Sequence, residues 1–254
     1  MPKKKYGQNF LINDEISKNI ANTLNIKSKN IIEIGPGNLS LTKHILSQNP
    51  RKFVAVEIDK DLRKNYDNNI SQFISFHDAL KFNEKEYFNN ENFSIISNLP
   101  FNISTKLLTK WISLQNKHNC IDSMILMFQK ELAERIIAKN NTKKYGRLTI
   151  LTKAFFNVEN KILVTKQNFF PQPKVDALVL KFTPHKKNKI NKKNYKKLEK
   201  LTTLFFNERR KKNKKKITKL FNKDQIINLQ LDNFYEKRPE NIDEELYYKM
   251  SGFI

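Results

Sequence analysis

Ile31-Ile32-Glu33-Ile34-Gly35-Pro36-Gly37-Asn38-Leu39 is the stretch on which the reading of this chain turns. Its first four residues form a short apolar run broken by one acid, and a helical pattern follows the second glycine, so the segment reads as strand, tight turn, helix. Glycines at such a turn let the backbone approach a ligand, and the helix start offers unpaired N–H groups. The chain holds only 5 Gly, so two at one turn mark the place. A dinucleotide fingerprint would read G-x-G-x-x-G; Ser40 stands at the third glycine's place, and that match is incomplete.

Further short apolar runs lie at Phe53–Val56, Phe73–Phe76, Ser94–Ile96 and Met124–Phe128, with helical patterns between them. Strand alternating with helix predicts a parallel sheet covered on both faces. Two later runs, near Lys161–Val164 and Ala177–Phe182, follow one another closely and are expected to form a hairpin at one sheet edge. Ahead of the sheet, residues 1–28 read as a basic head and a first helix, because Ile12, Ile16, Ile20 and Leu24 recur at spacing four. Behind it, His185–Lys197 is almost all Lys and Asn, and Leu198, Leu201, Leu204 and Phe205 then recur with helical period. The organisation expected is therefore an α/β domain over residues 1–184 and a small helical domain over residues 185–254.

Composition narrows the function classes. Lys and Arg number 48 against 25 Asp and Glu, a net charge of +23 that points to a polyanionic partner. The competing reading is compositional drift toward Lys, Asn, Ile and Phe on solvated faces. One cysteine, Cys120, excludes a disulfide framework. No apolar run approaches the roughly 18 residues that a membrane helix needs. The basic N-terminus lacks a following apolar stretch, so no secretory signal and no membrane association are expected. His44, His77, His118 and His185 have no metal-ligand spacing with Cys120 or one another, and no metal is expected.

Three further positions join the glycine turn. Glu57 ends the second run, where a carboxylate can accept both ribose hydroxyls of a nucleoside; alone it is equally an exposed acid. Asp59 is expected on the other face and is set aside. Asp78 ends the third run, where it can accept from an adenine amino group or cap a helix start. Asn98-Leu99-Pro100-Phe101 ends the fourth. A polar residue, a rigid proline and an aromatic there suit methylation of an exocyclic amine, whose lone pair is delocalised into its ring. Acceptors on both N–H groups, the Asn98 side-chain oxygen and the Leu99 carbonyl, favour a pyramidal nitrogen with its lone pair available. Pro100 fixes the turn, and Phe101 can stack on the base.

Together these motifs resemble an S-adenosylmethionine-dependent methyltransferase, and more closely the KsgA/RsmA family of ribosomal RNA adenine N6-dimethyltransferases. Gly7-Gln8-Asn9-Phe10-Leu11 is similar to the family's N-terminal motif and Glu33–Gly37 to its cofactor loop. Lys144–Leu148 and Phe169-Phe170-Pro171-Gln172-Pro173-Lys174-Val175-Asp176 are similar to later signatures, as are Phe206–Lys211 and Arg238–Ile242. The resemblance implies a Rossmann-like class I fold with a mostly parallel seven-stranded sheet plus a small all-helical C-terminal domain. It implies that Asn9, Leu11, Gly35, Gly37, Glu57, Asp78 and Asn98 contact S-adenosylmethionine, with S-adenosylhomocysteine as product. It further implies that Asn98 holds the target amine, with Leu99 and Pro100 beside it in the catalytic loop, and that Phe101 and Phe169 sandwich the flipped adenine.

The substrate implied is two adjacent adenines in a loop near the 3′ end of small-subunit (16S) rRNA, dimethylated on a partly assembled pre-30S particle by a cytoplasmic, monomeric enzyme. Arg147, Lys174, Arg209, Arg210, Lys211 and Lys212 are the candidate RNA contacts, and the whole Arg209–Lys216 block is basic except at Asn213. Many bacterial members carry Tyr where this chain has Phe101, and Phe is common there in erythromycin-resistance methylases of large-subunit rRNA. That substrate is one alternative, although Phe206–Lys211 favours the small-subunit side. A methyltransferase-like nucleic-acid-binding factor is another. DNA adenine and protein glutamine methylases carry a second proline where Leu99 stands, which disfavours both.

Overall fold

A computed structural model describes residues 3–254. The chain divides into two compact units, Met1–Ala133 with Val158–Thr183, and Glu134–Asn157 with Pro184–Ile254. Its strands are β1 (Phe10–Leu11), β2 (Asn30–Ile34), β3 (Lys52–Glu57), β4 (Ile74–Phe76), β5 (Phe93–Asn98), β6 (Ile121–Gln129), β7 (Phe156–Val164), β8 (Phe169–Phe170) and β9 (Ala177–Pro184). Its helices are α1 (Asp14–Ala21), α2 (Thr42–Leu46), α3 (Asn68–Ser71), α4 (Glu84–Tyr87), α5 (Ser104–His118), α6 (Lys130–Ile136), α7 (Arg147–Lys153), α8 (Tyr195–Asn207), α9 (Lys214–Leu220), α10 (Lys223–Asn228) and α11 (Glu244–Ser251).

Seven strands form one sheet in the order β4-β3-β2-β5-β6-β9-β7. The pairs from β4 through to β6 are parallel, and β9 runs antiparallel to β6. All five residues of β2 are buried, as a central strand covered on both faces requires. Each apolar run read from the sequence lies in a strand of this sheet, apart from Phe73, which precedes β4, and the two late runs are neighbours at its edge. From β2 the chain steps outward through β3 to β4, then returns to place β5 on the other side of β2. Strand order reverses between β2 and β5, and ligands of open α/β sheets bind outside the carboxyl ends of the strands at such a point.

Two expectations need correction. Ile12 precedes α1 and is 58% exposed, while Ile20 and Leu24 are buried. Asn13, whose side chain accepts from the Ile16 amide, starts the helix between them. Residues 134–157 group with the C-terminal helices, so the expected stretch 1–184 is interrupted. The cause is packing within the second unit. The Tyr145 ring lies 6.3 Å from Phe206, Phe155 lies edge-on to Tyr195, and the Tyr248 hydroxyl donates to the Ile150 carbonyl at 3.0 Å. The motifs Lys144–Leu148 and Phe206–Lys211 thus meet inside that unit.

Candidate active site

The carboxyl ends of β2, β3 and β5 open into a cleft. Its lining includes Gly35 and Gly37 after β2, Glu57 and Ile58 at the end of β3, and Asn98 to Pro100 at the end of β5. Residues Tyr6 to Phe10 close another side. The glycine turn is fixed from three directions. The Gly35 amide donates to the Val56 carbonyl at 2.9 Å, the Tyr66 hydroxyl donates to the Gly37 carbonyl at 2.9 Å, and Ser97 Oγ donates to the Ile34 carbonyl at 2.6 Å. Gly37 has φ +55°, and a Cβ there would lie 2.7 Å from the Phe10 ring, so only glycine fits.

Glu57 is 4% exposed, and its Oε1 accepts from the Asp59 amide at 2.8 Å. Burial raises its carboxyl pKa, while the amides of Asp59, Gly37 and Ile58 oppose that shift. Asn98 Nδ2 donates to the Asn9 carbonyl at 3.1 Å. One half of that amide is committed, which turns Oδ1 into the acceptor available to an incoming amine. Asn9 donates its own Nδ2 to the Gly7 carbonyl at 3.2 Å. Leu11 is placed differently. Its side chain is buried in the core, and only its carbonyl reaches the glycine turn, accepting from Asn38 Nδ2 at 3.0 Å.

Asp78 is half-buried and absent from the cleft lining; its Oδ1 accepts from the Leu80 amide at 2.9 Å. The side chain closes a turn rather than capping a helix, because no helix begins at Ala79 and α4 starts at Glu84 with Asn83 as its cap. Phe101 and Phe169 do meet, with ring centroids 6.4 Å apart at 62°. This is edge-to-face contact, so a base enters between parallel faces only if the rings part. Phe169 is held in β8, where it pairs with Leu11 of β1 in an antiparallel ribbon.

Two acids passed over in the sequence reading belong here. Glu33, inside β2, lines the cleft while 2% exposed, and its Oε2 accepts from Thr42 Oγ1 at 2.7 Å. Burial pushes its carboxyl up to about 8, opposed by the Thr42 hydroxyl and reinforced by Glu57. A lone acid inside an otherwise apolar strand run was its signal. Asp59, discounted on strand alternation, is 2% exposed. Its Oδ1 accepts from Lys3 Nζ at 2.6 Å and its Oδ2 from Gln8 Nε2 at 3.1 Å. Residues two apart share a face of a strand, so alternation gave no ground for separating Asp59 from Glu57, and the strand in any case ends at Glu57.

The basic candidates divide. Lys174 is exposed in the first unit, between β8 and β9. In the second unit Arg147 is exposed at the start of α7, 3.8 Å from Glu199. Arg209 donates to the Thr142 carbonyl at 3.1 Å and lies 3.5 Å from Glu240. Arg210, Lys211 and Lys212 are exposed, with Lys211 paired to Glu208 and Lys212 to Glu236. Lys216 departs from the solvated block expected. It is 7% exposed, and its Nζ donates to the carbonyls of Phe205 at 2.9 Å and Glu208 at 3.1 Å, closing the end of α8.

A family profile described as Ribosomal RNA adenine dimethylase matches residues 2–249. The chain belongs to the ribosomal RNA adenine dimethylase family. It is 39% identical over 252 residues to the Ribosomal RNA small subunit methyltransferase A of Pelagibacter ubique (strain HTCC1062), covering 98% of this chain and 95% of that one. Among solved structures it is similar to a dimethyladenosine transferase from Plasmodium falciparum, with TM-score 0.77, 26% identity, and coverage of 96% and 98%. It also shares its fold with the 23S rRNA methyltransferase ErmE, with TM-score 0.72, 20% identity, and coverage of 96% and 98%. Members of the dimethylase family use S-adenosylmethionine. The cleft fits that molecule: a buried carboxylate, a glycine turn that leaves no room for a Cβ at Gly37, and Asn side chains at the opposite bank. No helix among the described residues is long and apolar enough to cross a membrane.

Proposed function

We propose that this chain dimethylates N6 of two adjacent adenines in the 3′-terminal hairpin loop of small-subunit rRNA, on an assembling pre-30S particle in the cytoplasm, as a monomer. The observation that carries the chemistry is the Asn98 amide, locked through Nδ2 to the Asn9 carbonyl at the mouth of the cofactor cleft. The small-subunit substrate is supported by the full-length match to a relative named for that subunit. ErmE, at 20% identity, supports the fold and gives the large-subunit alternative no added weight.

Bound S-adenosylmethionine supplies a methyl group on a sulfonium, a donor strong enough to need no metal. Asn9, the Leu11 carbonyl, Gly35, Gly37 and Glu57 hold it, and Asp78 contributes from the end of β4. Asn98 Oδ1 and the Leu99 carbonyl accept the two N–H groups of the adenine amine, Pro100 keeps them rigid, and Phe101 and Phe169 part to take the base. The proton displaced from nitrogen passes to water. The protein's contribution is orientation and preorganised acceptors, with no general base. Lys174, Arg147 and the exposed run Arg210 to Lys212, with Arg209, dock the RNA backbone, and loop shape supplies specificity. The helical unit thereby supplies most of the RNA docking, while the sheet unit binds the cofactor and adds Lys174 to the RNA contacts.

The test is transfer of labelled methyl groups to small subunits from a strain lacking this modification, with wild type and Asn98→Ala compared and the nucleosides identified. Dimethyladenosine from wild type and none from the variant is the expected result. Label on large-subunit RNA alone would move the substrate to the other subunit. No label on either, with RNA binding kept, would leave a nucleic-acid-binding factor.

A further inference from the structure

Residues Lys3 to Phe10 bridge the cleft from one bank to the other. On the β5 bank, Asn98 Nδ2 holds the Asn9 carbonyl, and Asn102 Nδ2 holds the Lys5 carbonyl at 3.3 Å. On the β3 bank the contacts centre on one buried carboxylate. Asp59 takes Lys3 Nζ on Oδ1 and Gln8 Nε2 on Oδ2, and the Lys3 amide closes the loop by donating to Gln8 Oε1 at 2.6 Å. Lys3 Nζ also reaches Asp61 Oδ2. The Asp59 amide meanwhile donates to Glu57, the acid expected to hold the ribose. One residue therefore joins the ribose acid to the segment that walls the cleft.

We propose that Asp59 is a positioning residue for the cofactor: its carboxylate clamps the Lys3–Phe10 segment across the cleft and so sets how tightly and how long the nucleoside ligand is held. The proposal rests on S-adenosylmethionine being that ligand. Nearly all of Asp59 is out of water, and a buried carboxylate needs its partners. Two of those partners come from the strap, so the strap is held by a charged group that cannot be left unpaired cheaply. The Lys3 ammonium beside it draws the Asp59 carboxyl below its ordinary range against the opposing effect of burial. The third partner, the Asp61 amide at 3.2 Å, belongs to a local cap of the following turn.

The cap gives the structural explanation its own control. Asp59→Ser keeps a short acceptor for the Asp61 amide but offers no charge and no second oxygen to the strap. Hydrogen exchange of the amides of residues 5–10 is measured in cofactor-free wild type, Asp59→Ser and Asp59→Asn. Dissociation constants and dissociation rates of S-adenosylmethionine and S-adenosylhomocysteine are measured without RNA. In Asp59→Ser, strap exchange is expected to quicken roughly tenfold with β3 amides unchanged, and both ligands to bind roughly tenfold or more weakly through faster dissociation. Asp59→Asn, which keeps an acceptor and loses the charge, falls between. Affinity within twofold of wild type in Asp59→Ser overturns the clamp, as does acceleration that spreads through β3, which would mark a purely structural role. Failure of wild type to bind either ligand would instead remove the cofactor reading, and the exchange data would still decide whether Asp59 holds the strap.

Discussion

The Asn98 amide is asymmetric in use: Nδ2 is spent on the Asn9 carbonyl, and Oδ1 is left for substrate. Asn98→Asp keeps an oxygen for the amine but faces a carboxylate oxygen against a carbonyl, so it loses the strap contact and gains repulsion. Methyl transfer is expected to fall about 10²–10³-fold, the size seen when one preorganised group is removed from a site of this kind, with the thermal unfolding midpoint nearly unchanged. Glu33 carries a pH dependence of opposite kind to an ion-paired acid. Its native carboxyl is pushed up to about 8 from an ordinary value of 4.5, chiefly by burial. Between those values the native state keeps a proton that the unfolded chain releases, so stability falls as pH rises through that window and is flat on either side. Glu33→Gln keeps a partner for Thr42 and removes the titration. Unfolding midpoints taken from about pH 5 to pH 9 are expected to fall less in the variant than in wild type.

The strand-to-helix turn shows how an element's chemistry depends on a single missing side chain. Gly37→Ala meets a positive φ and the Phe10 ring together, so it must displace one wall of the cleft. It is expected to cost about 1–3 kcal/mol and to weaken S-adenosylmethionine binding, read by chemical denaturation and calorimetry. Unchanged affinity would mean that Phe10 can move aside freely. This turn was legible because β2, β3 and β5 are buried on both faces and announce themselves as apolar runs, with chemistry where each run stops. The β1–β8 ribbon was not legible: two residues per strand carry no period, and their pairing joins positions far apart in sequence. Asp59 was misjudged because it was assigned the opposite face, whereas residues two apart on a strand share one. The grouping of residues 134–157 with the C-terminal helices was hidden for a related reason. Tyr145 and Phe206 look like ordinary apolar positions until both are seen in one core.

Over the whole molecule, a net charge of +23 does not by itself say which cations face a partner. Lys216 sits inside the most basic stretch and is buried as the cap of α8, whereas Arg210, Lys211 and Lys212 are exposed in the turn that precedes α9. Two of those three have acidic neighbours, Glu208 and Glu236, in exposed pairs that RNA phosphates can replace with little loss. Counterion release makes the distinction measurable, since each phosphate neutralised adds about one to the slope of log affinity against log salt. Replacing Arg210, Lys211 and Lys212 together by Ser is expected to lower that slope by about 2–3 for small-subunit RNA and to weaken binding most at low salt. S-adenosylmethionine affinity should stay at the wild-type value, because the cofactor cleft lies in the other unit. Lys216→Met should behave in the opposite way: lower thermal stability from two uncapped carbonyls at the end of α8, and a salt slope close to wild type. If the triple variant kept the full slope, the docking charge would have to be sought at Arg147 and Lys174, and the helical unit's basic turn would be a solvated surface with no part in RNA binding.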